Sequence, residues 1–409
     1  MIQNFLDEEK SLACVHCGLC LSSCPTYLET GNENDSPRGR IYLMRAIQSG
    51  CLTVEDSIVR HIDLCLGCRA CENACPSGVE YGDLLEHTRD YLEKNHNRGL
   101  FQTFLRRIAI EKVFPFPWRL KLILFFSKFA RLRIFTWILP SFVKGSLSLL
   151  PDKSISRKCP EYSPAQGMEL GRVGLIEGCV MQVMFGDANE NTIALLNQGG
   201  WSVTSPLGQN CCGALYAHSG QLDKARECAR NNIAVFEDNQ LDAIVINAAG
   251  CGSTLKEYGR LLKEDPKWSE RAKEFSAKVK DLSEWIKSED FKLSNDNVRV
   301  TYHDACHLAH PQGITAEPRE LVKAVAGKNY VELAEADVCC GSAGSYNLTE
   351  PKMAERLQKR KIDNLIATGA QIVVTSNPGC LLQIQSGIKK EGSEMRIMHI
   401  ADYLIEYGG

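Results

Sequence analysis

Four cysteines stand within eleven positions near the start of this chain, as Cys14-x2-Cys17-x2-Cys20-x3-Cys24, with Pro25 directly after. The run recurs as Cys65-x2-Cys68-x2-Cys71-x3-Cys75-Pro76. No other feature restricts the fold so tightly. Three thiolates two residues apart on a tight loop can wrap three irons of one [4Fe–4S] cubane, and the loop's N–H groups can point at the sulfides and temper the cluster's charge. The fourth cysteine precedes a proline that turns the chain away, so it reaches the other cluster. The spacing therefore assigns one cluster to Cys14, Cys17, Cys20 and Cys75, and the other to Cys65, Cys68, Cys71 and Cys24. Zinc sites favour two separated cysteine pairs, which these runs are not.

The paired runs are those of two-cluster bacterial ferredoxins, and crossed ligation holds the clusters close enough to relay electrons. Between them, "DSPRGRIYLMRAIQSG" (35–50) has helical periodicity ending at Gly50. Residues 1–98 thus read as a helix-rich two-cluster ferredoxin-like domain. Arg38 and Arg40 either pair with cluster charge or a partner's carboxylates, or simply open a solvated helix.

The chain has 19 cysteines in 409 residues. Its opening, "MIQNFLDEEKSLAC", is polar and acidic and does not read as a secretory signal. No uncharged apolar run reaches the length of a spanning helix. Clustered cysteines in a reducing compartment are metal ligands rather than disulfides, so the chain is expected to be cytoplasmic and metal-bearing. A net charge of -3 gives no reason to expect nucleic acid.

From Gly99 to Leu150 the composition changes. Nine Lys/Arg stand against the single acid Glu111, with eleven of the chain's nineteen Phe and Trp residues, Phe114, Phe116, Trp118, Phe125, Phe126 and Trp137 among them. Pro115, Pro117 and Pro140 are expected to break the segment into short helices. Residues 99–165 read as a basic, aromatic helical bridge. It is either a clasp packing its rings on neighbouring domains, a peripheral membrane contact with cations on headgroups and rings below, or a partner-subunit surface.

Beyond about Gly167 the sequence repeats itself. "RVGLIEGC" (172–179) matches "RVTYHDAC" (299–306), "NCCGALY" (210–216) matches "VCCGSAGSY" (338–346), and "AIVINAAGC" (243–251) matches "QIVVTSNPGC" (371–380). The blocks keep offsets of 127 to 129 residues, which marks a duplicated domain, here 166–290 and 291–409. In each copy strand-like runs alternate with helical ones, predicting two tandem α/β domains with mainly parallel sheets. Ligands in such sheets gather at the carboxyl ends of strands, where each copy places four thiols. These are Cys179, Cys211, Cys212 and Cys251 in the first copy, and Cys306, Cys339, Cys340 and Cys380 in the second. Gly213 and Gly341 suit a sharp backbone turn beside them. His303, His307 and His218 lie near these cysteines and are expected to be packed or solvated rather than ligands. Cys51, Cys159 and Cys228 fit no pattern and read as structural.

Two cluster runs followed by two Cys-Cys-Gly (CCG) domains resemble the iron–sulfur subunit of bacterial glycolate oxidase, over essentially the whole chain. The stretches that carry the resemblance are "ACVHCGLC…CPTY", "SPRGRIYLMR", "CLGCRACENACPSGVEY", "GCGSTLKEYG" and "CCGSAGSYNLT". It implies an electron-transfer subunit with no catalytic residues of its own, two [4Fe–4S] clusters, FAD-binding partner subunits that oxidise glycolate, and quinone as acceptor. It also implies a peripheral place on the cytoplasmic face of the inner membrane. The iron–sulfur subunits of D-lactate utilisation systems, anaerobic glycerol-3-phosphate dehydrogenase and heterodisulfide reductase are related alternatives, the last a catalytic one. One departure matters: the usual motif ends in C-x-x-C, whereas here the endings are "GCGST" and "GCLLQ". Ser253 or Thr254, and Leu382 or Gln383, stand near the place of a fifth cysteine. A five-thiolate non-cubane cluster is therefore not expected; four thiols can hold one cubane, a zinc ion or nothing, and one further iron–sulfur cluster is expected across the two copies.

Overall fold

The computed structural model describes residues 4–99, 112–130, 156–237, 240–294, 296–344 and 346–409. Of the bridge, residues 100–111 and 131–155 lie outside the described residues, so the expectations for Trp137 and Pro140 do too.

In the N-terminal part the cysteine runs are joined by helices. Ser36 caps the helix Pro37–Gln48 by accepting from the Gly39 N–H, and Pro37 occupies the first turn, where its missing N–H costs nothing. Gly39 is obligatory, because a Cβ there would lie 2.0 Å from the Glu33 carbonyl oxygen. The helix buries Ile41 and Met44 against Ile62 of the helix Asp56–Asp63 and against Leu84, Leu85 and Leu92. The last three belong to the helix Tyr81–Asn95.

The duplicated half builds two sheets. The first contains β1 (Tyr162–Ser163), β2 (Gly171–Leu175), β3 (Trp201–Thr204), β4 (Ala243–Ile246) and β5 (Val279–Asp281), in the order β1-β3-β2-β4-β5. Only the edge strand β1 runs antiparallel. The second contains β6 (Val300–Tyr302), β7 (Ile372–Thr375) and β8 (Arg396–His399), parallel and in that order. A parallel bridge from Val300 to Tyr330 stands where the first sheet has β3. Every residue of β4 and β7 is buried, as expected of central strands covered on both faces.

One apolar core runs through both copies, joining Val173, Leu175 and Val245 to Tyr302, Val374 and Leu404. The turns after β4 and β7 meet directly: Ala249 N–H donates to the Ser376 carbonyl (3.0 Å), and Gly250 N–H to Asn377 Oδ1 (3.2 Å).

The N-terminal part docks on both copies. Against the first, Arg89 donates to the His218 carbonyl (2.8 Å), and Gly220 lies so near Arg89 that a Cβ would meet its backbone at 2.4 Å. Arg260 pairs with Asp83, Glu86 and Glu257. Against the second copy, Tyr346 donates to the Leu64 carbonyl at 2.8 Å.

Candidate metal centres

The second cysteine run follows the helix Asp56–Asp63 as a loop made possible by left-handed backbone at Gly67 (φ 66°) and Arg69 (φ 63°). Cys65, Cys68 and Cys71 line one cavity together with Cys24, which the chain returns from the first run. Gly67 N–H (3.4 Å) and the Tyr81 hydroxyl (3.5 Å) donate to Cys65 Sγ. Thr26 Oγ1 lies 3.3 Å from Cys24 Sγ and the Arg40 guanidinium 3.9 Å from it. Arg40 is fully buried beside Cys24, so of its two expected roles the solvated helix start is excluded. Only Arg38 stays near the surface, paired with Glu33 at 2.6 Å.

Burial opposes ionisation of Cys65, but Arg40 and Arg89, with the Tyr81 and Gly67 hydrogen bonds, outweigh it and hold the thiol below its usual value. At Cys68 and Cys71 burial beside other thiols dominates and pushes both well up, despite an Ala70 backbone hydrogen bond at Cys68. Four thiols around one cavity, with an amide, a hydroxyl and a guanidinium at their sulfurs, suit an anionic cubane. Cys14 and Cys20 of the first run pack against one core with Cys75 of the second, and Cys17 is exposed. Positive φ at His16 (55°) and Gly18 (84°) curves that loop.

In the first CCG copy, Cys179 opens a helix just beyond β2 with its Sγ 3.7 Å from Cys211 Sγ. Cys212 is adjacent, and Cys251 lies on the helix Ala249–Lys256 after β4. Gly213 (φ 87°) turns the chain so that its N–H donates to Cys211 Sγ at 3.5 Å. Hydrogen bonds from Cys179 and Cys212 hold the Cys211 thiol well below its usual value, while both donors are pushed well up. Tyr258, fully buried, fixes the Cys212–Gly213 peptide by donating to the Cys212 carbonyl (2.7 Å). A cleft of about 480 Å³ opens over Cys179 and Cys211. Lys112, Phe116 and Arg119 of the bridge wall it, with Tyr216 and Cys228 opposite. Of the cysteines outside the pattern, Cys228 stands at this cleft, Cys159 is in the core and Cys51 is exposed.

In the second copy Cys306 and Cys339 stand 4.0 Å apart at the sulfurs. Cys340, Cys380 and His303 place their donor atoms within 4.8 Å of one another, all three buried. His303 was expected to be an ordinary packed histidine, yet it is packed among thiols, and neither ring nitrogen has a hydrogen-bond partner. His307 and His218 are interface residues. The His307 ring approaches the Gly67 carbonyl (3.0 Å) and lies edge-on to His218, centroids 4.9 Å apart. Burial, then the His218 charge, pushes His307 down to about 3. Cys68 shares an apolar cluster with Cys339 and Cys306, so the second copy adjoins the second cysteine run. In place of a fifth thiol the copies have Ser253 and Thr254, both buried, and Leu382 with the buried Gln383.

The N-terminal run pair, residues 10–79, matches the 4Fe-4S dicluster domain, and residues 173–256 and 300–385 each match the cysteine-rich domain family designated CCG. The chain is 41% identical to a probable glycolate oxidase iron-sulfur subunit of Bacillus subtilis, covering 99% of this chain and 95% of that one. It is 34% identical to the glycolate oxidase iron-sulfur subunit of Escherichia coli, over 91% of this chain and 89% of that one. A crystal structure of a hypothetical protein from Helicobacter pylori shares the fold, with a TM-score of 0.52 at 10% identity, covering 99% of this chain and 75% of that chain.

Proposed function

The chain belongs to the family of glycolate oxidase iron–sulfur subunits, and from that premise we propose that it passes electrons from a partner FAD-binding flavoprotein toward the quinone pool. The observation that carries the reading is the return of Cys24 to the cavity of Cys65, Cys68 and Cys71. That return ties the two runs into one unit, with Cys14, Cys17, Cys20 and Cys75 as the ligands of one cubane and Cys65, Cys68, Cys71 and Cys24 of the other. When bound, a [4Fe–4S] cubane accepts and gives up one electron at a time, which suits the two-electron output of a flavin.

The protein's own part is to hold and insulate. Arg40 and Arg89 offset thiolate charge, and Tyr81 and Gly67 donate to Cys65. The docked second copy shields Cys68. Glycolate is the substrate by family, and D-lactate or glycerol 3-phosphate remain alternatives because substrate choice would reside on the flavoprotein. Among the described residues no helix is long and apolar enough to cross a membrane, and a peripheral position at the inner membrane would rest on the bridge. The cleft over Cys179 and Cys211 favours a second reading, in which the CCG half itself reduces an acceptor.

Electron paramagnetic resonance of the complex, purified anaerobically with its native partners, tests the first reading. Reduced-cluster signals that appear on adding glycolate support it. Signals that appear only with dithionite move the substrate elsewhere. In Cys17→Ser, loss of one cluster with flavin reduction intact and quinone reduction slowed is expected; normal turnover overturns the relay.

A further inference from the structure

We infer that His303 is a metal ligand, so that the second CCG copy binds a thiophilic metal through one imidazole nitrogen together with the thiolates of Cys340 and Cys380. The inference stands apart from the relay reading, since it concerns only what the second copy holds.

The geometry is the first support. Three donor atoms within 4.8 Å of one another surround a single point. Bonds of about 2.3 Å to sulfur and about 2.0–2.1 Å to nitrogen around a tetrahedral centre set donors about 3.4–3.8 Å apart, so only a small inward movement is needed. Thiolates on different corners of a cubane are separated by iron and sulfide and stand farther apart. Cys306 is not one of the three: its Sγ stands 4.0 Å from that of Cys339, outside the group that His303, Cys340 and Cys380 form. Cys339 neighbours Cys340 in sequence and faces Cys68 instead.

The second support is His303 itself. It is wholly buried and neither ring nitrogen is hydrogen-bonded. An imidazole in that state has lost its water without gaining a partner, a cost of about 1–3 kcal/mol that a metal bond would offset.

Charge is the third support. Buried thiolates beside a metal need a cation within reach to offset them. Lys361, 2% exposed, lies beside these thiols with its ammonium donating to the carbonyls of Glu335 and Ala336. Left-handed backbone at Glu335 (φ 51°) forms part of that seat. In the first copy the residue matching His303 is Ile176, so the two copies cannot offer the same donors.

The test uses the full chain, purified anaerobically from cells supplied with iron and zinc, and measures both metals, sulfide and the X-ray absorption edge of each. His303→Ala is expected to lose metal that His303→Cys keeps, with imidazole scattering present in the unmodified chain and replaced by sulfur in His303→Cys. Loss of about one zinc identifies a single ion, and loss of iron with sulfide identifies a nitrogen-ligated cluster; both support the ligand role. Full retention of zinc and iron in His303→Ala overturns it. So does the absence of imidazole scattering in the unmodified chain, a result that no folding defect of a variant can imitate.

Discussion

The Arg40 guanidinium stands 3.9 Å from Cys24 Sγ, in a place with no exposure to water. It is held there by the His61 carbonyl (2.7 Å) and Thr26 Oγ1 (3.0 Å). A buried cation beside a cluster thiolate favours the more negative, reduced state. Arg40→Met should therefore lower the reduction potential of the cluster that Cys24 serves, and strip partners from two buried oxygens at a stability cost of roughly 3 kcal/mol. A redox titration followed by paramagnetic resonance, with a thermal melt, checks both. An unchanged potential would show that the guanidinium is structural only.

The contact between the N-terminal part and the first CCG copy should depend on Arg260. Burial raises the carboxyls of Asp83 and Glu86, but Arg260, with Lys10 and His87 at Asp83 and His218 at Glu86, holds both below their usual values. Carboxyls depressed on folding contribute stability that is present above their unfolded pKa of about 4 and lost as pH falls through the folded values. Arg260→Ala should cost roughly 3 kcal/mol in urea unfolding. That gap should be full near neutral pH and narrow as pH falls and the two carboxyls protonate. A gap that does not narrow on acidification would contradict this account.

The matched glycines of the CCG motifs should tolerate a methyl group unequally. Both have φ 87°, but a Cβ at Gly341 would lie 2.7 Å from the Ala354 carbonyl oxygen, whereas at Gly213 the nearest atom is at 3.2 Å. Each pays about 1–2 kcal/mol for left-handed backbone, and Gly341→Ala pays a clash with an immobile helix carbonyl besides. Gly341→Ala should therefore melt lower than Gly213→Ala, and the reverse order would contradict the packing described.

The helix Pro117–Ala130 divides its apolar residues between two surroundings. Leu120 and Leu124 pack on Val183 and Met184, while Trp118, Ile123 and Phe126 are exposed, with Arg119 stacked over the Phe116 ring at 4.3 Å. A membrane interface suits that outer face. The chain should float with anionic vesicles at low salt and release as salt rises. Replacing Trp118 and Phe126 by Ser should weaken binding about tenfold or more. Failure of the unmodified chain to float removes the membrane role.

Spacing along the chain was enough for the cysteine loops, the duplication and the alternation of strand and helix. Those features are local: x2-x2-x3 intervals set a loop's reach, an apolar run sets a buried strand such as β4 or β7, and a repeated offset is visible without any fold. The burial of Arg40, the nearness of Cys339 to Cys68, and the meeting of His303 with Cys340 and Cys380 left no such mark. Arg40 sits in a helix start that looks like any solvated one, and His303 is one histidine beside Asp304 with no periodic partner. What decided them was contact between residues from about 16 to 270 positions apart, where the second copy folds against the first cluster domain and one core closes around both sheets. Tertiary packing alone removes water from those side chains, and the loss of water turns an arginine into a cluster counter-charge and a histidine into a candidate ligand.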